Sequence, residues 1–564
     1  MVLDILKNYI QKAFSESGYN IDIKIIKSNR EDLCDYQCDD VFKISKMYHK
    51  NPIEVGENIV NLINNYPDFS DYFKEITFAK PGFINIRISD KLINNIINDM
   101  INNENYNLKK ETSKTYFLDY GGPNVAKPLH VGHLRTTIIG ESIKRIINFV
   151  GNKTICDVHL GDYGLQIGEV IYAILEDKLN IEDITLEYLD VTYPKMSKLC
   201  KENQDIMDKC ACITKQLQDG NVEYQKIWKK IKEVSVNDIK RIYDYLSVNF
   251  DLWEGESDGY KYINSVTQIL NEHNLLLDSE GAKVIDVKDD NDSKELPPLI
   301  YQKSNGAYLY GTTDIAAIYE RVKLYKPDYI LYVVDARQSL HFNQVFRACK
   351  KSKIAENVSL EHLGYGTVNG SDGKPFKTRS GDTVKLDDLF NQVRDVFINT
   401  KESNKDMSKR DLNIIVNAII KFADLQNNRE KDYIFDILKF SNVVGKTGPY
   451  ILYTYLRINK ILEQENLKID LLNDKIFNEF DRNLRLKLLD LPIVIDSAYK
   501  ERMPHYIAEY VYDICVLSNI FYQNNHVSNS SNEIKQQWLV LLTFTNRLLK
   551  DLLNLLTIDI PSRM

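Results

Sequence analysis

TYFLDYGGPNVAKPLHVGHLRTTIIGESIKRIINFVG, Thr115–Gly151, is the stretch on which the fold of this chain turns. Thr115–Tyr120 is a short apolar run of the kind a buried strand carries. After the turn GGPN, apolar residues recur at Leu134, Ile138, Ile139, Ile143, Ile146, Ile147 and Val150, the spacing of one helix face. Gly151 closes that helix, because the residue after the last turn favours left-handed dihedrals. A second apolar run, Thr154–Leu160, completes a β-α-β unit, which predicts a parallel, doubly wound sheet.

His130, Gly132 and His133 fall at the start of the helix. Backbone N–H groups and the positive end of the dipole gather there, a setting that suits a triphosphate. Imidazoles at i and i+3 can donate hydrogen bonds to an α-phosphate as charge builds on it during displacement of pyrophosphate. Gly132 removes a side chain so that a purine can lie on the backbone. With 9 His and 24 Gly in 564 residues, a chance HxGH is expected about 0.006 times, so two unrelated surface histidines are the weaker reading.

Outward from this unit the chain divides into three. Residues 1–110 open on a helical pattern (Leu3, Leu6, Ile10, Phe14), with β-type runs at Ile21–Ile26 and Phe83–Ile88 around a helical Glu54–Ile63. Asn102–Ser113 is polar and reads as a linker. Residues 111–400 are mixed α/β, interrupted around 181–244 by a charged helical insertion. Residues 401–564 read as amphipathic helices, among them Leu484–Leu491, Ile507–Phe521 and Trp538–Leu556, and predict an all-α bundle.

Charged residues at 27% and hydrophobic residues at 43% describe a folded globular chain. A net charge of −8 gives no global basic footprint, so any nucleic-acid partner would need a local basic face. The 8 cysteines form no pair of CxxC units at zinc spacing, and no metal site of protein ligands is expected. With no signal peptide at Met1–Lys12 and no apolar run of about 18 residues, the expectation is a cytoplasmic protein with reduced thiols and no membrane partner.

HxGH after a strand is common to class I aminoacyl-tRNA synthetases and smaller nucleotidylyltransferases. The longer string DYGGPNVAKPLHVGHLRTTIIGES resembles the arginyl-tRNA synthetases, as do DYQC at Asp35–Cys38, PGFINIRIS at Pro81–Ser89, GDYGLQIG at Gly161–Gly168 and GES at Gly255–Ser257. YLYGTTDIAAI at Tyr308–Ile318, YVVDARQSLHFNQVF at Tyr332–Phe346, GKPFKTRSGDTVKL at Gly373–Leu386, TGPYILYTYLRI at Thr447–Ile458 and the terminal PSRM continue it in order. The resemblance implies a tRNA-contacting α+β N-terminal domain, a Rossmann-type catalytic core and a helical anticodon-binding bundle. It implies ligation of L-arginine to tRNA with ATP and Mg²⁺, by a monomer. The chain departs from the family at Gly121–Gly122, where many members carry small hydroxyl residues.

A guanidinium is planar and always charged, so its pocket needs carboxylates and neutral acceptors. The resemblance points to Asp119, Gly122, Pro123, Asn124, His133, Tyr310, Asp314 and Gln338, with the two aspartates pairing charged groups of arginine and Tyr310 walling its stem. Read singly, Asp314 equally suits the N-cap of a helix over Ile315–Tyr319. For the late phosphate loop of class I enzymes the chain offers PKMSK at Pro194–Lys198, but inside the charged insertion, where its flanks suit a helix. DMSKRD at Asp406–Asp411 suits a capping box of Ser408 and Asp411. GKPFKTRSGD, Gly373–Asp382, fits better: it is glycine-flanked and basic, with Gly366 shortly before it and Lys374, Lys377 and Arg379 to meet phosphates. Phe376 and Ser380 stand where fuller versions place Met and Lys, and the resemblance suggests that Lys127 supplies the missing cation. For RNA, Tyr433, Tyr450, Tyr453 and Arg457 can stack bases and Lys439 and Lys446 can meet phosphates. Tyr at helical spacing is also ordinary core.

Overall fold

The computed structural model describes residues 2–30, 32–108, 112–289, 292, 296–370, 372–374, 376, 384–400 and 406–564. They form two compact units, one of Met1–Lys109, Tyr453–Asp496 and Tyr510–Asp551, the other of Lys110–Leu452, Ser497–Glu509 and Leu552–Met564.

The second unit is built on four parallel strands: β1 (Thr115–Asp119), β2 (Lys153–Asp157), β3 (Tyr329–Tyr332) and β4 (Ser359–His362), in the order β4-β3-β1-β2. Helix α1 (Val131–Phe149) carries β1 to β2 as the sequence predicts, and the later strands wind to the other side of β1. Strand order therefore reverses between β1 and β3. Crossovers leave in opposite directions there and open a crevice at the carboxyl ends of the two strands. β1 is buried over Tyr116–Asp119, with Asp119 in register with Asp157 on one side and Tyr332 on the other. Phe117, Ile330, Tyr332, Ile315 and Val345 belong to one core cluster on this sheet. On α1, Gly140 gives Tyr120 its place, since a Cβ there would lie 2.3 Å from the ring.

After α2 (Leu165–Glu176), the insertion expected around 181–244 folds as three helices, α3 (Leu186–Glu202), α4 (Gln204–Gln218) and α5 (Val222–Tyr245). Thr185, Asn203 and Asn221 cap the last three with side-chain oxygens, and Ile227, Ile231, Ile239 and Ile242 bury one stripe of the otherwise charged α5. Pro194–Lys198 lies inside α3, so PKMSK forms no loop. Three more helices complete the parts used below: α6 (Glu256–Gly259), α7 (Tyr310–Tyr325) and α8 (Ser339–Lys351). Beyond the sheet, α9 (Lys409–Leu425) starts at Ser408, whose Oγ accepts the Asp411 N–H at 3.1 Å. The Asp411 carboxylate reaches back to the Ser408 hydroxyl at 2.8 Å and also accepts the N–H and hydroxyl of Ser562 at 2.7 and 2.8 Å.

In the first unit four short antiparallel strands run Ile26–Lys27, Tyr36–Cys38, Phe83–Ile88, Phe73–Ala79 across the sheet. Ile21, Ile23 and Ile25 are buried in alternation, yet only Ile26–Lys27 pairs as strand, so that expectation shortens to its last residue and one more. Asp35 of DYQC holds Arg482 by two bonds of 2.8 and 2.9 Å.

Candidate active site

The start of α1 is organised by its own imidazoles. His130 Nδ1 accepts the Gly132 N–H at 3.0 Å, and His133 Nδ1 accepts the His130 N–H at 3.1 Å. Each Nδ1 is thus an acceptor, which leaves the proton of each neutral ring on Nε2, a donor. The rings lie 3.9 Å apart between centroids. The Val131 N–H bonds the Val384 carbonyl at 3.0 Å and the His133 N–H the His130 carbonyl at 2.8 Å. The four N–H groups of residues 130–133, expected to face a phosphate, are therefore engaged within the chain. Anion recognition passes to the two Nε2–H groups. Gly132 is required for the same reason, since a Cβ would lie 2.7 Å from the His130 ring.

Both imidazoles are held neutral. Burial and then the charges of His130 and Lys127 lower His133 to about 3, and burial and then Lys127 lower His130. The Lys127 ammonium lies 4.5 Å from the ring centre of Tyr193 on α3.

After β1 the chain turns through Gly121 (φ +96°) and Gly122 (φ +45°), dihedrals that a residue with a Cβ rarely adopts. The departure from the family pattern therefore stands where the backbone is left-handed. The Gly122 N–H bonds the Val158 carbonyl and the Pro123 carbonyl accepts the Gly161 N–H, both at 3.0 Å. Asn124 then lies on Gly161, where a Cβ would meet its Oδ1 at 2.3 Å.

Asp119, expected to face a substrate cation, instead holds the chain's own Arg321, whose Nη2 lies 2.7 Å from Asp119 Oδ2 and 3.1 Å from Asp157 Oδ2. Asp119 is buried, and burial raises its carboxyl above the usual range even beside that guanidinium. Asp314 lies one turn into α7, which begins at Tyr310, so the N-cap reading does not hold. Its Oδ2 meets Nε2 of His341, three residues beyond Gln338. Gln338 is exposed at the start of α8. Tyr310 is 63% exposed and shares an electrostatic environment with Glu256, Tyr193 and Asp314. Glu256, at the head of α6, is raised to about 7 by burial and by Asp162 and Asp314, with His159 opposing. Glu256, Arg321 and His341 were not singled out from sequence. The GES string contains Glu256 and YVVDARQSLHFNQVF contains His341, while nothing local marked Arg321.

Of the nucleotide-binding residues, Gly366 is buried, with no room for a Cβ against the backbone of Lys431 and Asp432. Lys374 is exposed, its N–H on Asp372 Oδ1 at 3.1 Å. Lys377 and Arg379 lie outside the described residues. On the RNA side Tyr433 is corrected: it is buried, with the Arg135 guanidinium 5.2 Å from its ring, and presents no face for stacking. Lys439, Lys446 and Tyr450 share its unit, whereas Tyr453 and Arg457 fall in the other. There Arg457 lies 4.1 Å from the ring of Tyr522 and 5.8 Å from that of Tyr453, both rings about two-fifths exposed (40% and 43%).

A parallel sheet with its crevice at the switch point, and paired histidines heading the first crossover helix, form the nucleotide fold that class I synthetases share with smaller nucleotidylyltransferases, and the family comparisons select the synthetases. Residues 95–437 match the family described as tRNA synthetases class I (R), catalytic domain, residues 451–564 the DALR anticodon binding domain and residues 2–88 the arginyl tRNA synthetase N terminal domain. The chain belongs to the arginyl-tRNA synthetase family. It is 39% identical over 589 residues to the arginine–tRNA ligase of Alkaliphilus oremlandii and 40% identical over 600 residues to that of Agathobacter rectalis, with all of each chain covered. The arginyl-tRNA synthetase of Plasmodium falciparum superposes with a TM-score of 0.81 at 27% identity, covering 100% of this chain and 99% of that one. The Thermus thermophilus enzyme gives 0.78 at 20% identity over the full length of both and shares the fold.

Proposed function

We propose that this chain joins L-arginine to its tRNA in two steps that use ATP. The arginine carboxylate attacks the α-phosphorus and pyrophosphate leaves; a ribose hydroxyl of tRNA then attacks the adenylate carbonyl and AMP leaves. The observation that carries the reading is the pair of Nε2–H donors fixed by His130 and His133 at the switch-point crevice. Such donors stabilise charge that grows on the α-phosphate oxygens, and no nucleophilic side chain is needed. Lys127 adds a cation beside them, and Gly132, Gly366, Lys374, Lys377 and Arg379 serve the nucleotide.

Arginine selection falls to Asp314 and Glu256 as carboxylates, Tyr310 as the wall of the stem, and Asn124, Gly122, Pro123, His133 and Gln338 around the polar end. Asp119 supports them from below through Arg321. For tRNA we assign Tyr450, Tyr453, Arg457 and Tyr522 to base stacking and Lys439 and Lys446 to the backbone, within a functional division at 1–110, 111–400 and 401–564. Among the described residues no three His, Cys, Asp or Glu side chains gather to hold a metal ion, so Mg²⁺ would enter on the triphosphate as its counter-ion. Among those residues no helix is long and apolar enough to cross a membrane. We take the enzyme to act as a cytoplasmic monomer.

ATP–pyrophosphate exchange with and without tRNA tests this. Exchange that requires arginine, with tRNA present, is expected; exchange driven by another amino acid, or none at all, would refute it. Lys127→Ala should lower kcat far more than it raises KM for ATP. A change in KM alone would remove Lys127 from the chemistry.

A further inference from the structure

Helix α3 of the insertion contains PKMSK, yet its lysines form no phosphate loop. The turn just before that string, Asp190–Tyr193, is the part that reaches the cations around HVGH. Asp190 and Tyr193 stand at i and i+3, on one side of α3. Asp190 Oδ2 holds the Lys385 ammonium at 2.6 Å, and Tyr193 holds the Lys127 ammonium over its ring at 4.5 Å. Lys385 is itself attached to the signature: it forms an antiparallel bridge with His130, flanked by Leu386 N–H to Leu129 carbonyl and Val131 N–H to Val384 carbonyl, both 3.0 Å. One helical turn thus fixes both a backbone segment paired with His130 and a side-chain cation that acts on both imidazoles. Pro194 lacks the N–H that would bond the Asp190 carbonyl, so this turn is freed from part of the helical ladder.

We propose that Tyr193 is a positioning residue for adenylate formation, its ring holding the Lys127 ammonium beside His130 and His133. Lys127 has a long, flexible stem, and a face-on aromatic ring restricts where the charge can rest without neutralising it, as a carboxylate would. A cation that must meet charge developing on phosphate gains from this, because little reorganisation is left for the moment of reaction. The tyrosine hydroxyl has no part in it. The inference rests on the catalytic reading of Lys127 given above.

The test is a double-mutant cycle in arginine- and tRNA-dependent ATP–pyrophosphate exchange, with thermal unfolding recorded for every variant. Tyr193→Leu keeps apolar packing and removes the ring. Its kcat should fall by about three- to tenfold with KM for ATP within about twofold, the scale of one partly exposed cation–ring contact. Tyr193→Phe should restore kcat, and Tyr193→Leu should cause no further loss in a Lys127→Ala background. Unchanged kcat in Tyr193→Leu, failure of Tyr193→Phe to restore it, or an equal loss in both backgrounds overturns the role of Tyr193 alone. Full kcat in Lys127→Ala overturns the underlying reading as well.

Discussion

Two backbone N–H groups decide which nitrogen of each signature imidazole carries the proton, and burial with Lys127 decides that neither ring gains a second one. A donor is therefore available without an imidazolium. Exchange kcat should run flat from pH 8 to about 6, with no inflection at the ordinary imidazole value of about 6.5; a step there that vanishes in His130→Asn would refute the neutral-donor reading. The stability sign follows from the same shift. Unfolded His133 takes up a proton near 6.5 and folded His133 only near 3, so its contribution is intact above about 6.5 and declines as pH falls from there toward 3. Glu256 has the opposite tendency. Burial and neighbouring carboxylates raise it to about 7, and a guanidinium favours the ionised form. KM for arginine should fall by up to about tenfold between pH 6 and 8 as Glu256 ionises, and Glu256→Gln should raise KM and flatten that dependence. A pH dependence of KM that survives the substitution assigns it elsewhere.

At the scale of elements, α1 shows what a sequence can and cannot display. Its apolar period, its start at the histidines and the strands on either side were legible because they are local. Its contacts were not. Arg135, within LRTT, is 1% exposed and its Nε lies 3.0 Å from Asp424 on α9, with Nη1 on the Gly366 and Lys431 carbonyls at 2.7 and 3.1 Å, partners that no local pattern displays. The engaged N–H groups of residues 130–133 depend on Val384, far along the chain. Asp119 was legible as a carboxylate at the end of β1, but its partner was not, because Arg321 comes from α7. Phe73–Ala79 escaped notice as a strand since a register shift between Phe73 and Glu75 breaks its alternation. Breaking the Arg135–Asp424 pair tests the element. Arg135→Met leaves a buried carboxylate without its cation and should cost about 3–5 kcal/mol in urea unfolding, whereas Arg135→Met with Asp424→Leu should recover much of it. A cost below about 1 kcal/mol for the single change, or none regained in the double, would deny the pair its structural role.

Over the whole molecule, the chain leaves its catalytic unit after Leu452, returns for Ser497–Glu509 and returns again for Leu552–Met564. That unit is therefore closed by residues distant in sequence from the helices they contact. Ser142 Oγ donates to the Leu555 carbonyl at 2.7 Å, and Lys421, fully buried, donates to the carbonyls of Leu246 and Thr557. The Asp411 carboxylate receives both the N–H and the hydroxyl of Ser562. Pairings of such sequence separation form late in folding, since the intervening loop entropy is lost before they contribute. The PSRM string thus has a physical reason to match the family without touching the crevice. Asp411→Ala removes the acceptor of the Ser562 N–H and hydroxyl and of the Ser408 hydroxyl, while leaving the backbone N–H that Ser408 caps, and should destabilise the unit by about 2–4 kcal/mol, with Ser562→Ala costing about 1 kcal/mol. Because the two residues share their bonds, Ser562→Ala should add almost nothing in the Asp411→Ala background. Exchange kcat at temperatures below the transition should stay unchanged in all three variants, since neither residue meets HVGH. Full additivity in urea unfolding, or a fall in kcat without a fall in stability, would break the assignment of this segment as a closure of the catalytic unit.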